Sequence, residues 1–267
     1  MASVGVLILD PQLDFFPGGS CAIPAAENIA VRIAELLGAN SSKIRALYVS
    51  LDTHHRMHIS NPAYWQSGET GDAPPSWTVI NSADIENEVW RPRQANAVGK
   101  ALAYTTKLEE LGKPSLMVWP EHCLLGTKGS AVAKTINDAL QDWAGSHPAT
   151  PVEYIIKGTN TGTEMHSVFE AEVQDPEDHT TCFNVSLLEK LSAHDQLIVV
   201  GFALSHSVDR TIRHLVEKIA SPEKRAAIKL LSDCTSCIPG HDAAGERLLQ
   251  FARESGITVT KASEVVL

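Results

Sequence analysis

The sequence predicts an α/β/α sandwich, a three-layer fold whose mostly parallel, doubly wound sheet is covered by helices on both faces. Two observations lead there. Short apolar, β-branched runs recur along the chain, and segments of helical periodicity lie between most of them. Parallel strands buried on both faces read as near-continuous apolar runs and need helical crossovers, so this alternation is the pattern of βαβ units.

The elements follow in order. "SVGVLILD", residues 3–10, reads as the first strand. Ile29, Ile33, Leu36 and Leu37 then repeat at helical spacing, and "IRALYVSLD", residues 44–52, is the second strand. Residues 61–94 break the rhythm with turn residues and three tryptophans, Trp65, Trp77 and Trp90. A long irregular insertion of this kind is a candidate lid, a contact between copies in a homo-oligomer, or a segment that simply packs on the body. Val132, Ile136, Leu140 and Trp143 mark another helix, and "VEYIIKG", residues 152–158, a third strand. "QLIVVG" (196–201), "AAIKLLSD" (226–233) and the short "ITVT" (257–260) supply the remaining strands. Between the first two of these, "SVDRTIRHLVEKIA" puts Val208, Ile212, Leu215 and Ile219 on one helical face. No internal repeat or low-complexity tract is visible, and residues 1–267 read as one domain.

Composition narrows the class. Hydrophobic residues make up 43% and charged residues 20%, as in ordinary soluble globular proteins. A formal net charge of -10 argues against nucleic acid or anionic membranes as partners. There is no apolar run of about 18 residues, hence no expected membrane span. "MASVGVLILD" lacks the charged region and cleavage site of a secretory signal, so a cytoplasmic location is expected. Five cysteines (21, 123, 182, 234 and 237) make a poor disulfide framework and fit a reducing compartment. Cys234 and Cys237 form one isolated CxxC, a weak zinc or redox signal.

Candidate chemistry gathers where strands end, the place where α/β sheets build sites. Asp10 closes the first strand in "LILDPQLDFFPGGS", although an aspartate there serves as a helix cap as readily as a catalyst. Asp52 and His54, in "SLDTHHRMHIS", are two apart and leave one face if the strand persists. They could hold a divalent metal, with His58 near enough to help; His122 in "WPEHCLLGT" would complete two histidines and a carboxylate, or else pack beside Trp119. Lys157 follows two isoleucines, where a lysine needs a carboxylate partner. Ser207 stands at the start of a helix, where backbone N–H groups favour negative charge.

Five ordered segments together resemble the nicotinamidase/isochorismatase-like cysteine hydrolase superfamily. "LILDPQLDFFPGGS" is similar to its D-x-Q-x-D-F-x-P-G-G-S opening, and "SLDTHHRMHIS" to its D-x-H metal segment. "WPEHCLLGTKGS" resembles W-P-x-H-C-x-x-G-T-x-G, "KGTNTG…HSVF" resembles K-G-x…Y-S-x-F, and "VVGFALSHSV" resembles V-G-x-A-x-x-x-C-V. The resemblance covers nearly the whole chain except residues 170–185. It implies Asp10 as general base, Lys157 as the cation of a triad and position 207 as the nucleophile. Asp52, His54 and His122 are implied as metal ligands, with His58 a further candidate. Zinc is the expected ion, and iron or manganese suits the set as well.

Phe15 and Trp119 match positions that flank a flat aromatic ring in nicotinamidases, where the metal meets the pyridine nitrogen. Phe202-Ala203 matches a cis peptide of that family, and the N–H groups of Ala203 and Ser207 are implied as the oxyanion hole. Retention of all three metal ligands favours a nicotinamide-like, small-molecule amide substrate. Two departures pull away: His166 stands where the family has tyrosine, and Ser207 where it has cysteine. A thiol of pKa roughly 8.5 can be lowered into a working range, whereas an alcohol is far less acidic, so a large loss of amidase activity is expected. Three explanations of the serine compete: an introduced Cys→Ser change, a natural homologue that binds without turnover, or a Ser-Lys hydrolase with Lys157 as base. His206, next to Ser207, reads as a poor base because helix neighbours point apart. A hydrolase of another C–N amide stays open through His166.

Overall fold

The computed structural model describes residues 3–265. Six parallel strands form the main sheet: β1 (Val4–Leu9), β2 (Ile44–Asp52), β7 (Glu153–Lys157), β8 (Gln196–Phe202), β9 (Ile228–Ser236) and β10 (Thr258–Thr260). Their spatial order is β10-β9-β8-β1-β2-β7. The chain therefore winds outward from β1 in one direction, through β2 to β7, and then returns to β1's other side through β8. The order reverses between β1 and β8, and such a switch point is where a doubly wound sheet opens a crevice for ligands. The predicted fold class is the one observed.

Alternation along each strand splits its side chains between two layers. Val4, Val6 and Ile8 of β1 meet α1 (Ala26–Ala39) and α4 (Lys134–Ser146) through Ile29, Ile33, Ile136, Leu140 and Trp143. Leu7 and Leu9 meet α5 (Val185–Ser192), α6 (Asp209–Lys218) and α8 (Asp242–Glu254) through Leu187, Leu191, Ile212, Leu215 and Leu248. Each such fully buried aliphatic side chain contributes about 1.5–3 kcal/mol. The expected helical stripes thus face the sheet.

Two boundaries differ from the sequence reading. α6 starts at Asp209, after one wide turn over Leu204–Val208 in which Val208 N–H donates to Ala203 O at 3.1 Å. β9 starts at Ile228, because α7 (Pro222–Ala226), capped by the Ser221 side chain, occupies the residues before it, and it runs on to Ser236. Cys234 lies within β9 and Cys237 beyond its end, and they join opposite core layers, so they do not form a paired motif. All five cysteines are free. No helix of the described residues is long and apolar enough to cross a membrane.

Residues 61–94 contain β3 (Trp65–Ser67), β4 (Thr78–Ile80), α2 (Ser82–Glu86) and β5 (Trp90–Pro92). β3 pairs antiparallel with β5, and β4 with β6 (Leu116–Val118). With α3 (Val98–Glu110) they enclose a third apolar cluster around Trp65, Ile80, Ile85, Tyr104 and Leu116. Trp65 is fully buried and its indole N–H donates to Ile59 O at 2.6 Å. This cluster anchors β6, and β6 delivers the chain directly to Trp119 and His122.

Candidate active site

Four adjacent positions along the C-terminal edge of the sheet carry the polar groups. In the order β8-β1-β2-β7 these are Ser207 (in the turn after β8), Asp10, Asp52 and Lys157. All four are buried. Lys157 Nζ lies 3.0 Å from Asp10 Oδ2 and donates to Asp52 Oδ1 at 2.8 Å. It donates further to Met165 O at 3.1 Å. A lysine at the end of an apolar strand is tolerated because two carboxylates and a carbonyl satisfy it. Burial alone would depress it, but Asp10 and Asp52 together hold it above the ordinary lysine value. It is therefore an ammonium, and it is not available as a neutral base.

Asp10 adopts a left-handed backbone (φ 46°), which bends the chain off β1 and turns its carboxylate along the sheet edge. Ser50 fixes it twice: its hydroxyl donates to Asp10 Oδ1 and accepts from Asp10 N–H at 3.0 Å. Oδ2 faces Lys157 and accepts no well-aligned hydrogen bond, while the neighbouring Ser207 hydroxyl favours the ionised form. Burial, the largest influence, still raises the Asp10 carboxyl above its ordinary value. A buried carboxylate with raised proton affinity, one free lone pair and a hydroxyl beside it is suited to take a proton.

Asp52 serves a second neighbourhood through its other oxygen. Oδ2 is 3.2 Å from His122 Nε2 and 3.7 Å from His54 Nδ1. One ligand atom each of Asp52, His54 and His122 fall within 4.8 Å of one another. The donor set fits a divalent ion. His122 Nδ1 donates to Pro120 O at 2.8 Å and His54 Nδ1 to His122 O at 3.3 Å. Burial would lower His122, but Cys21 and Asp52 raise it well above the ordinary imidazole value, and an ion there would take the place of its Nε2 proton. Burial pushes His54 down to about 4, so it is a neutral imidazole. Gly158, with φ 80°, brings its backbone beside Asp52 and His54; a Cβ there would sit 3.3 Å from Asp52 Oδ1. Gln12 clamps the Asp52 backbone, accepting from its N–H and donating to its carbonyl, each at 2.7 Å.

His58 lies edge-on against His54, ring centres 4.6 Å apart, outside the group of three. Its Nε2 donates to Thr163 O at 3.1 Å and its Nδ1 engages Ser60 at 2.7 Å, so both nitrogens are spent. Phe15 and Trp119 do line the cavity beside Ser207, Asp52 and the two histidines. Phe15 meets His122 edge-on, ring centres 5.6 Å apart. The Phe202–Ala203 peptide is cis.

His166 reaches the same cavity and is held between Glu172 Oε1 (3.0 Å) and Glu164 Oε2 (3.6 Å). His206 also lines it, ring centre 5.0 Å from that of Trp119, because the wide turn turns both 206 and 207 inward. Sequence reasoning, which used regular helical geometry, put His206 on the far side. It also left out Ser50 and Glu164, whose indole contact (Trp119 Nε1 to Glu164 Oε1, 3.0 Å) sets the wall. Gln12 was legible as the third residue of the opening motif, whereas nothing in the sequence marks Ser50 or Glu164.

No protein-family model and no curated protein matches the chain. Solved structures do. A nicotinamidase/pyrazinamidase of Acinetobacter baumanii superposes with a TM-score of 0.65 at 20% identity, covering 98% of each chain. The yeast nicotinamidase bound to the inhibitor nicotinaldehyde gives 0.63 at 20% identity, over 97% of this chain and 99% of that one. A Pyrococcus horikoshii pyrazinamidase in complex with zinc gives 0.54 at 18%, over 97% and 98%. End to end, then, this chain has the fold of these nicotinamidase and pyrazinamidase structures.

Proposed function

We propose that the protein is a metal-containing amidohydrolase scaffold for a nicotinamide-like carboxamide, with residue 207 as the nucleophile position and serine there suppressing turnover. The observation that carries this reading is the buried chain Ser207–Asp10–Lys157–Asp52 set directly against the Asp52/His54/His122 donor set. With a cysteine at 207, Asp10 takes the thiol proton and the thiolate attacks the amide carbon. The oxyanion so formed lies against the N–H groups of Ala203 and residue 207. Asp10 returns the proton to nitrogen as the C–N bond breaks and ammonia leaves. Water then adds to the thioester, giving its proton to Asp10, and the C–S bond breaks to release the acid. A bound divalent ion would act as a Lewis acid that anchors a ring nitrogen of the substrate.

A serine alcohol cannot give up its proton to a carboxylate to any useful extent, and the protonated Lys157 between two carboxylates argues against a Ser-Lys route. Ser207 equally favours a second reading, a binding protein that holds the amide without cutting it. The test is ammonia release from nicotinamide by zinc-loaded protein and its Ser207→Cys variant. The amidohydrolase reading expects turnover by the cysteine form at least 1,000-fold above the serine form; silence of both supports the binder. Zinc binding is checked separately by elemental analysis after dialysis. About one equivalent should remain on the starting protein and essentially none on His122→Ala.

A further inference from the structure

The cavity beside Ser207, Asp52 and His122 is small, about 30 Å³. It shares Trp119, Glu164, His166 and His206 with a neighbouring cavity of about 430 Å³. The inner space takes an amide head group, and the body of any larger substrate has to lie in the outer one. That outer cavity has one apolar side, with Tyr104, Leu108, Leu116 and Met117. Its other side carries three arginines, Arg210, Arg213 and Arg247, with Glu172, Asp209, His206 and His241 among them.

The positive charge there is not fully answered by the protein. Glu172 alone serves three cations: His166 Nδ1 at 3.0 Å, Lys113 Nζ at 3.2 Å and Arg210 Nε at 3.6 Å. Asp209 is occupied by Arg213, at 3.0 Å, and that guanidinium also lies over the Phe251 ring. Arg247 has no hydrogen-bond or ion-pair partner among the described residues. His206 and His241 meet edge-on, 4.8 Å apart, and burial holds His206 well below the ordinary imidazole value, so it adds no charge. In a chain of net charge -10, Arg247 is therefore a cation left over at this cavity after Glu172 and Asp209 have been paired. An unpaired cation at the edge of a low-dielectric cleft attracts ligands of the opposite sign.

Resting on the amidohydrolase reading of the inner cavity, we infer that the outer cavity selects amides that carry an anionic group, a carboxylate or phosphate, beyond an apolar or aromatic body. The amide enters past Trp119, the body lies on the Leu108–Met117 side, and the anion meets Arg247, Arg210 and His241. Arg247, exposed and unpaired, makes the largest difference between charged and neutral ligands.

The experiment pairs ligands of one shape and different charge: terephthalamide against terephthalamic acid, with 4-carbamoylphenyl phosphate as the phosphate arm. Binding to the zinc-loaded Ser207 protein is measured by calorimetry at low salt, and hydrolysis is measured with Ser207→Cys. The acid or the phosphate should bind at least tenfold tighter than the diamide, and the better of the two names the anion. Arg247→Gln should reduce that preference to within twofold, chiefly by weakening the acid. Equal binding of acid and diamide, or a preference that survives Arg247→Gln, overturns the inference. If Ser207→Cys hydrolyses neutral amides without favouring either anion, the inference alone fails. If neither these amides nor nicotinamide binds or is cut, the amidohydrolase reading fails with it.

Discussion

At the scale of single residues, Lys157 is the group on which the site depends most. It is a buried cation held by two carboxylates, 3.0 and 2.8 Å away, and removing one member of such a set leaves the others desolvated and uncompensated. Lys157→Met should cost about 3–5 kcal/mol in urea unfolding. A loss below about 1 kcal/mol would mean that water or a proton on Asp10 replaces the ammonium without penalty. Glu172 belongs to the same scale. Burial would raise its carboxyl, but His166, Arg210 and Lys113 hold it well below the ordinary value. A carboxylate depressed in the folded state stabilises the fold above its unfolded pKa of about 4.3, and that contribution is lost as the pH falls toward the folded value. Glu172→Gln should therefore be less stable at pH 7 by about 2–3 kcal/mol. Its melting temperature should also fall less steeply than the parent's below about pH 4. Parallel acid profiles for the two proteins would remove Glu172 from the account.

Among the elements, β1 and β8, the two strands that flank the switch point, leave no room for a side chain at one position. Gly201 sits there with φ 110°, and a Cβ on it would lie 2.2 Å from Leu9 O. Gly201→Ala should thus cost on the order of 3 kcal/mol, read as a lower melting temperature and a poor soluble yield. An unchanged melt would show that the strands can part without cost. The "VVG" of this strand was legible in the sequence, as were all six main-sheet strands and the stripes on α1, α4 and α6, because buried parallel strands and amphipathic helices leave regular periodicities. The wide turn before α6 was not, since one extra residue in a helical turn leaves no period to read. Asp10, Lys157 and the three metal-site residues stood out by residue type at strand ends. Ser50 and Glu164 act through distances of 40 and 45 residues along the chain; the first pairing comes from the β1–β2 register and the second from the packing of two loops, and neither leaves a local pattern.

For the molecule as a whole, the reacting groups are set by the sheet rather than by side-chain packing. Neighbouring strands lie about 4.8 Å apart, and four of them in succession, β8-β1-β2-β7, each contribute one group to the row Ser207, Asp10, Asp52, Lys157. Backbone hydrogen bonds therefore act as a ruler, and the side chains are its marks. Exchanging sulfur for oxygen at one mark changes the reactivity there and leaves the spacing of the others as it was. If residue 207 is the nucleophile, as proposed, a protein with this layout gives up turnover, and regains it, by a single substitution while its pocket continues to hold the same ligand.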